Sequence, residues 1–145
     1  MVFWSTLARI AERGNVMALV IDLKPGEKVL IGQAVITNDD QRTRLHIAGP
    51  APILRHKDVL QLEDADTPCK KIYYIVQCMY IADDPKTLHD QYFTMIKDVQ
   101  EAAPSTSAYI LEINKEIVGG SYFRALKVAK KLIAYEKEIL DRALR

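Results

Sequence analysis

The sequence predicts an α+β chain, with a small antiparallel β domain ahead of a bundle of four helices. Three observations predict it. Apolar residues follow a strand-like pattern from Ala18 to about Leu60 and a helical one beyond Glu63-Asp64-Ala65-Asp66. Turn-forming residues separate the apolar runs of the first half. In the second half Thr67-Pro68 and Asp84-Pro85 place a capping residue and then proline where helices begin. At 145 residues the chain makes one domain or two small ones. It reads as a leader over 1–16, a β domain over 17–62 and a helical domain over 67–145.

Met1 to Val16 is expected to be disordered or a short amphipathic helix with Phe3, Trp4, Leu7 and Ile10 on one face. Ser5, Thr6 and Arg9 interrupt its apolar stretch, so it is not a secretory signal. Met17 looks like the domain start. Ala18 to Ile21 is a compact apolar run, and Lys24-Pro25-Gly26-Glu27 puts proline and glycine at the central positions of a type II turn. Val29 to Ile31 and Ala34 to Thr37 are β-rich and separated by Gly32-Gln33. After the polar turn Asn38 to Gln41, Thr43 to Ile47 alternates as a half-buried strand does. Gly49-Pro50-Ala51-Pro52 breaks the pattern before Ile53 to Lys57, read as a fifth strand of a small barrel or sandwich. So thin a β core is marginal alone, which makes a homodimer, or a higher homo-oligomer, the physical expectation.

In the helical half, Ile72, Ile75, Val76 and Met79 form the first apolar stripe, and Leu88, Tyr92, Met95, Ile96 and Val99 the second. Pro104 ends the second helix, and Ser105 to Ser107 offer caps for a third, whose apolar face is Tyr109, Ile110, Ile113 and Ile117. Gly119-Gly120 is its stop. Ser121 opens the last and longest helix, with Phe123, Leu126, Leu132, Ile133 and Leu140 mostly on one side. Cys69 and Cys78 on the first helix would lie about 13.5 Å apart at ~1.5 Å per residue. That is too far for a disulfide, and both read as small hydrophobes in a reducing compartment, the cytoplasm. No apolar run approaches the length of a membrane span.

Composition excludes function classes more readily than it names one. Twenty basic residues against nineteen acidic rule out a polycation that holds nucleic acid by bulk charge. Met17 to Asp66 carries six basic and eight acidic residues, Thr67 to Arg145 twelve and ten. Any RNA contact must therefore come from a few placed side chains. His46, His56 and His89 are scattered, so no metal site is expected. No phosphate loop, dinucleotide fingerprint, nucleophile elbow or catalytic Cys-His signature is present, so the chain does not read as an enzyme and calls for no cofactor.

Interest concentrates on Ile53-Leu54-Arg55-His56-Lys57-Asp58. As a strand it would send Arg55 and Lys57 to one face and His56 to the other. Arginine can pair with guanine and lysine with a phosphate or base edge, and unpaired RNA loops are open to such contacts. The bland alternative is that basic residues on an edge strand deter aggregation. Arg124, Lys127, Lys130 and Lys131 form a secondary basic patch on the last helix, where a solvated face is the simpler reading. Seven tyrosines lie in the helical half, more readily core than stacking platform.

Met17 to Asn38, Thr43-Arg44-Leu45, Ala51 to Arg55, Ala65 to Pro68 and Lys131 to Glu136 together resemble the FlbT family of flagellum biosynthesis repressors. The resemblance runs from Met17 to the C-terminus. It implies a cytoplasmic, post-transcriptional regulator that associates with the 5′ untranslated region of flagellin mRNA and promotes that message's decay, although some members behave as activators. The leader has no counterpart in the family. Leu19 to Thr37, with Ile47, Pro50, His56, Lys57 and Asp58, is similar to the carbon storage regulator (CsrA) family of small intertwined β dimers that bind RNA leaders. That resemblance puts Lys57 on an RNA-contacting position, with Arg55 as its rival, and Lys24 on a basic position of the first strand. Leu23 departs from the pattern at a neighbouring basic position. Ile21 and Arg44 complete the expected RNA-contacting set beside Arg55, His56, Lys57 and Lys24. The expected partner is the flagellin mRNA leader. The alternative is an adaptor or chaperone-like protein that holds flagellin or a flagellar regulatory protein and acts on RNA indirectly.

Overall fold

A computed structural model describes residues 19–144 of the chain. The expected leader, Met1 to Val16, lies outside the described residues. The chain divides into two compact units between Val59 and Leu60.

The first unit carries five strands, β1 (Leu19–Leu23), β2 (Lys28–Ile31), β3 (Ala34–Thr37), β4 (Thr43–Ile47) and β5 (Ile53–Leu54). β1 pairs antiparallel with β4, from Leu19↔Ile47 to Leu23↔Thr43. β2 is the centre of a three-stranded sheet, flanked by β3 and β5. Alternation sorts the side chains of β1, with Ile21 and Leu23 buried and Val20 and Asp22 exposed. Ile21, Leu23 and Val29 form the centre, and Leu19, Ile31, Leu45, Ile47 and Ile53 pack around it, so the inner faces of the two sheets meet as a minimal sandwich. β3 forms an edge of the three-stranded sheet with all four residues exposed, Val35 and Ile36 included.

Local chemistry fixes the turns. At Lys24-Pro25-Gly26-Glu27, the Glu27 N–H donates to Lys24 O at 3.1 Å, and Gly26 has φ +77°, as the second central position of a type II turn requires. Asn38 clamps this turn to the next. Its Nδ2 lies 2.8–3.1 Å from three carbonyl oxygens, those of Leu23, Lys24 and Gln41. Two hydrogens serve three acceptors, so one contact is shared.

The expected strand Ile53 to Lys57 is cut short. β5 covers two residues, and His56–Asp58 is a turn of 3₁₀-helix that follows the extended Arg55. A side chain stops the ladder. The pairing Leu30↔Leu54, continued by two residues, would set Lys28 opposite His56. There the Lys28 N–H donates to His56 Nδ1 at 3.0 Å. An imidazole nitrogen stands where a strand carbonyl would accept, and the backbone is released to turn. The alternating orientation expected for Arg55, His56 and Lys57 is therefore replaced by the closer stagger of a 3₁₀ turn.

The second unit holds α1 (Pro68–Ile81), α2 (His89–Ala102), α3 (Ser107–Val118) and α4 (Tyr122–Ala143), with short 3₁₀ turns ahead of α2 and α3. α1 packs on α2 and α4, and α3 on α4. Contacts between opposite ends make the neighbours antiparallel. Thr67, at the start of α1, bonds Glu136, late in α4, while Tyr80 at the end of α1 meets Phe123 at the start of α4. Tyr92, early in α2, donates to Asn114 Oδ1, late in α3. The α1 stripe is buried as the periodicity predicts, with Cys69, Tyr73 and Gln77 added to it.

Two local expectations are corrected. Phe123 and Leu140 of α4 are exposed, and the buried face is Ala125, Leu126, Val128, Ala129 and Leu132. The hydroxyls before α3 do not cap it. Thr106 donates to Ala103 O and Ser107 to Pro104 O, so both satisfy carbonyls of the preceding turn rather than N–H groups of the helix. α3 ends as Gly119-Gly120 suggests. Gly120 at φ +75° lets its N–H reach Ile117 O while the Ser121 N–H reaches Glu116 O, the paired bonds of a Schellman stop.

Candidate nucleic-acid interface

In the β unit a cavity of about 300 Å³ is lined by Val20, Ile21, Asp22 and Leu23 of β1, by Glu27, and by Arg55, His56 and Lys57. Four consecutive β1 residues line it although alternate side chains point to opposite faces. The strand therefore borders the cavity along the edge it does not give to β4, where backbone N–H and C=O groups lie. The opposite wall is Arg55 and the start of the 3₁₀ turn, His56 and Lys57, three consecutive side chains able to donate hydrogen bonds.

Each side chain has an identifiable cause for its place. His56 is anchored, because Nδ1 accepts from the Lys28 N–H. The ring proton then sits on Nε2, which lies 3.9 Å from Glu27 Oε2. The other Glu27 oxygen accepts from the Lys24 N–H at 2.8 Å, so the type II turn fixes the carboxylate that stands near the imidazole. With His56 fixed, the residues on either side, Arg55 and Lys57, stand exposed at the rim. The cavity thus pairs cationic donors with two carboxylate acceptors, Asp22 and Glu27. Phosphate oxygens and base acceptors suit the first kind of group, and the amino groups of bases suit the second.

The expected RNA-contacting set does not stay together. Arg55, His56 and Lys57 converge. Ile21 is among the residues that line the cavity, but it is only 5% exposed, because its register in β1 turns its side chain into the sandwich. Lys24 is exposed but outside the cavity lining. Arg44 pairs through Nε with Asp22 Oδ1 at 3.0 Å, directly across the β1–β4 register, and also lies outside the lining. This pair is largely exposed at both ends, so it contributes at most about 1 kcal/mol. Glu27 and Asp22 were not among the expected residues. Glu27 was within reach of sequence reasoning, since the Pro-Gly turn fixes where its fourth residue stands.

The secondary patch belongs to the helical unit. Arg124, Lys127 and Lys131 are exposed on α4, and Lys127 Nζ stands 4.8 Å from the centroid of the Phe123 ring. That unit also has a partly buried polar centre of its own. Glu136 Oε1 accepts from the Thr67 hydroxyl and Oε2 from the Cys69 N–H, so a carboxylate from α4 caps the first turn of α1. Burial, with the Glu136 carboxylate nearby, pushes the Cys69 thiol up to about 12, and burial also raises Cys78. Neither is an activated thiol. Among the described residues, no group of three or more His, Cys, Asp or Glu side chains could hold a metal ion. Among them, too, no helix is long and apolar enough to cross a membrane.

Comparison with known proteins gives one consistent result. The family model described as flagellar protein FlbT matches residues 19–140. A probable flagellum biosynthesis repressor protein FlbT 1 of Bradyrhizobium diazoefficiens is 50% identical over 124 residues, covering 85% of this chain and 85% of that protein. A probable flagellum biosynthesis repressor protein FlbT of Rhodopseudomonas palustris is 45% identical over 126 residues, 87% of this chain and 100% of the relative. The flagellum biosynthesis repressor protein FlbT of Caulobacter vibrioides is 32% identical over 127 residues, 86% and 90% of the two chains. No solved structure matches the chain.

Proposed function

The chain belongs to the FlbT family of flagellar proteins, and from that premise we propose that it regulates flagellum biogenesis after transcription, by holding the 5′ untranslated leader of flagellin mRNA. The relatives' names as flagellum biosynthesis repressors support the regulatory part. One observation carries the RNA part, the exposed Arg55 and Lys57 on either side of an anchored His56, facing a strand edge across a cavity of about 300 Å³. Splayed nucleotides of a leader suit such a site, with phosphates on the cations and base amino groups on Asp22 and Glu27.

In this reading the protein works in the cytoplasm, without a cofactor and without chemistry of its own. Occupancy of the leader lowers ribosome access, and host nucleases remove the exposed message. A homodimer formed through the β unit presents two such cavities, so that two modest contacts on one leader add as avidity.

A mobility-shift titration with the cognate flagellin leader tests the proposal. Wild-type protein is expected to shift the leader, and Arg55→Ala/Lys57→Ala to lose that shift with an unchanged circular dichroism spectrum. Equal affinity of the two proteins at matched salt refutes the assignment. Failure of the wild type to bind, together with capture of flagellin or one flagellar regulatory protein, supports the adaptor reading instead.

A further inference from the structure

We infer that the outward face of α4 is a second contact for the same single-stranded RNA, made through phosphates and one stacked base. The inference rests on the RNA reading above. Between Tyr122 and Tyr135 the helix carries Arg124, Lys127, Lys130 and Lys131 and no carboxylate. All four are exposed, as is Lys137 beyond them. They lie on the side of the helix opposite its buried face of Ala125, Leu126, Val128, Ala129 and Leu132. A chain that is nearly neutral overall therefore keeps a local line of positive charge.

The length of that line selects the ligand. From Arg124 to Lys131 the helix advances about 10 Å at ~1.5 Å per residue. A single phosphate would engage one end, whereas a polyanion can follow the whole row. An aromatic ring starts it, since Phe123 is 41% exposed, with Lys127 Nζ 4.8 Å from its centroid and the Tyr80 ring 5.7 Å away. Exposed rings among cations are what proteins use to hold single strands, because every base offers a face to stack. A lipid surface fits less well. Interfacial helices bring a broad apolar face between their cations, and here the exposed apolar side chains among the cations are those of Phe123 and Ala134.

Fluorescence anisotropy with a labelled flagellin leader, titrated over a series of salt concentrations, tests this. Arg124→Gln/Lys131→Gln is expected to weaken binding about tenfold and to make the salt slope shallower by ~1.4, at ~0.7 per phosphate on a single strand. Phe123→Leu keeps an apolar side chain and is expected to weaken binding about fivefold with no change in slope. If the wild type binds and both variants match it in affinity and slope, the α4 contact is overturned while the Arg55–Lys57 reading stands. If the wild type does not bind, both fall together. Displacement of the leader by polyglutamate as readily as by unlabelled RNA of equal charge also overturns it, because the face would then answer to charge alone.

Discussion

Removing the Glu136 carboxylate should loosen the helical unit more than its place on the C-terminal helix suggests. Its two oxygens serve the first turn of α1, one accepting from Thr67 Oγ1 and the other from the Cys69 N–H at 3.0 Å. Thr67 is itself the N-cap and accepts from the Lys70 N–H at 3.2 Å. A hydrogen bond to a charged group contributes about 1.5–3 kcal/mol, and a negative charge at a helix N-terminus adds about 0.3–1 kcal/mol. The site is only partly buried, so the lower ends of these ranges apply. Glu136→Ala should then cost about 3 kcal/mol. Glu136→Gln should cost about 2 kcal/mol, since it keeps one acceptor but turns an amide N–H toward another donor. With a urea m-value of about 2 kcal/mol/M, the midpoint followed at the helical circular dichroism band should fall by about 1.5 M and 1 M. Glu138→Ala, exposed on the same helix, should stay within about 0.5 kcal/mol of wild type. A Glu136→Ala midpoint within about 0.2 M of wild type would refute the capping role.

Two further outcomes follow from the same unit. Gln77 is buried and pairs with one backbone residue twice, Oε1 accepting from the Leu60 N–H at 2.8 Å and Nε2 donating to Leu60 O at 3.0 Å. Gln77→Leu strands both groups and should cost about 2–4 kcal/mol. The melting temperature should fall by roughly 8 °C, and a fall under about 2 °C would contradict this. Cys69 keeps its proton up to about pH 12 when folded, against about 9 when unfolded. The folded state therefore holds the extra proton between those values, and this contribution, full below pH 9, is lost as pH rises toward 12. Iodoacetamide at pH 8 should spare Cys69 in the folded protein and modify it in urea, with Cys69→Ala flattening the alkaline decline in stability. Alkylation of native Cys69 at the unfolded rate would contradict the burial argument.

What the sequence made legible is what short-range chemistry decides. Lys24-Pro25-Gly26-Glu27 and Thr67-Pro68 specify a turn and a helix start within four residues, and both are found with the expected bonds. The Ile72, Ile75, Val76 and Met79 stripe needed only a helical period. Where partners distant in sequence decide, local reading fails. Ile53 to Lys57 has the composition of a strand, but the Lys28 N–H, 28 residues earlier, finds the His56 side chain and ends the ladder. Glu136 looks like one more surface charge until α1 is folded against α4. Gln77 sits amid an apolar stripe and is buried because Leu60 satisfies both ends of its amide. Phe123 lies outside the buried face of α4 because the contacts with α1 and α3 rotate that face from the one its largest side chains suggest. For the candidate site, sequence supplied Arg55, His56 and Lys57, and Ile21 borders the same cavity as a core residue, whereas Lys24 and Arg44 fall outside its lining. A one-residue difference in strand register, invisible locally, separates a core residue from a rim residue.

The central claim is that Arg55 and Lys57 put this protein on flagellin leaders in the cell. Crosslinking protein to RNA in living cells and sequencing what is recovered tests it most directly. Recovered reads should concentrate in the 5′ untranslated region of flagellin mRNA for the wild type and fall to background for Arg55→Ala/Lys57→Ala expressed at the same level. Leader reads that persist undiminished in the double variant would contradict it, and so would wild-type crosslinks that show no preference for flagellin messages.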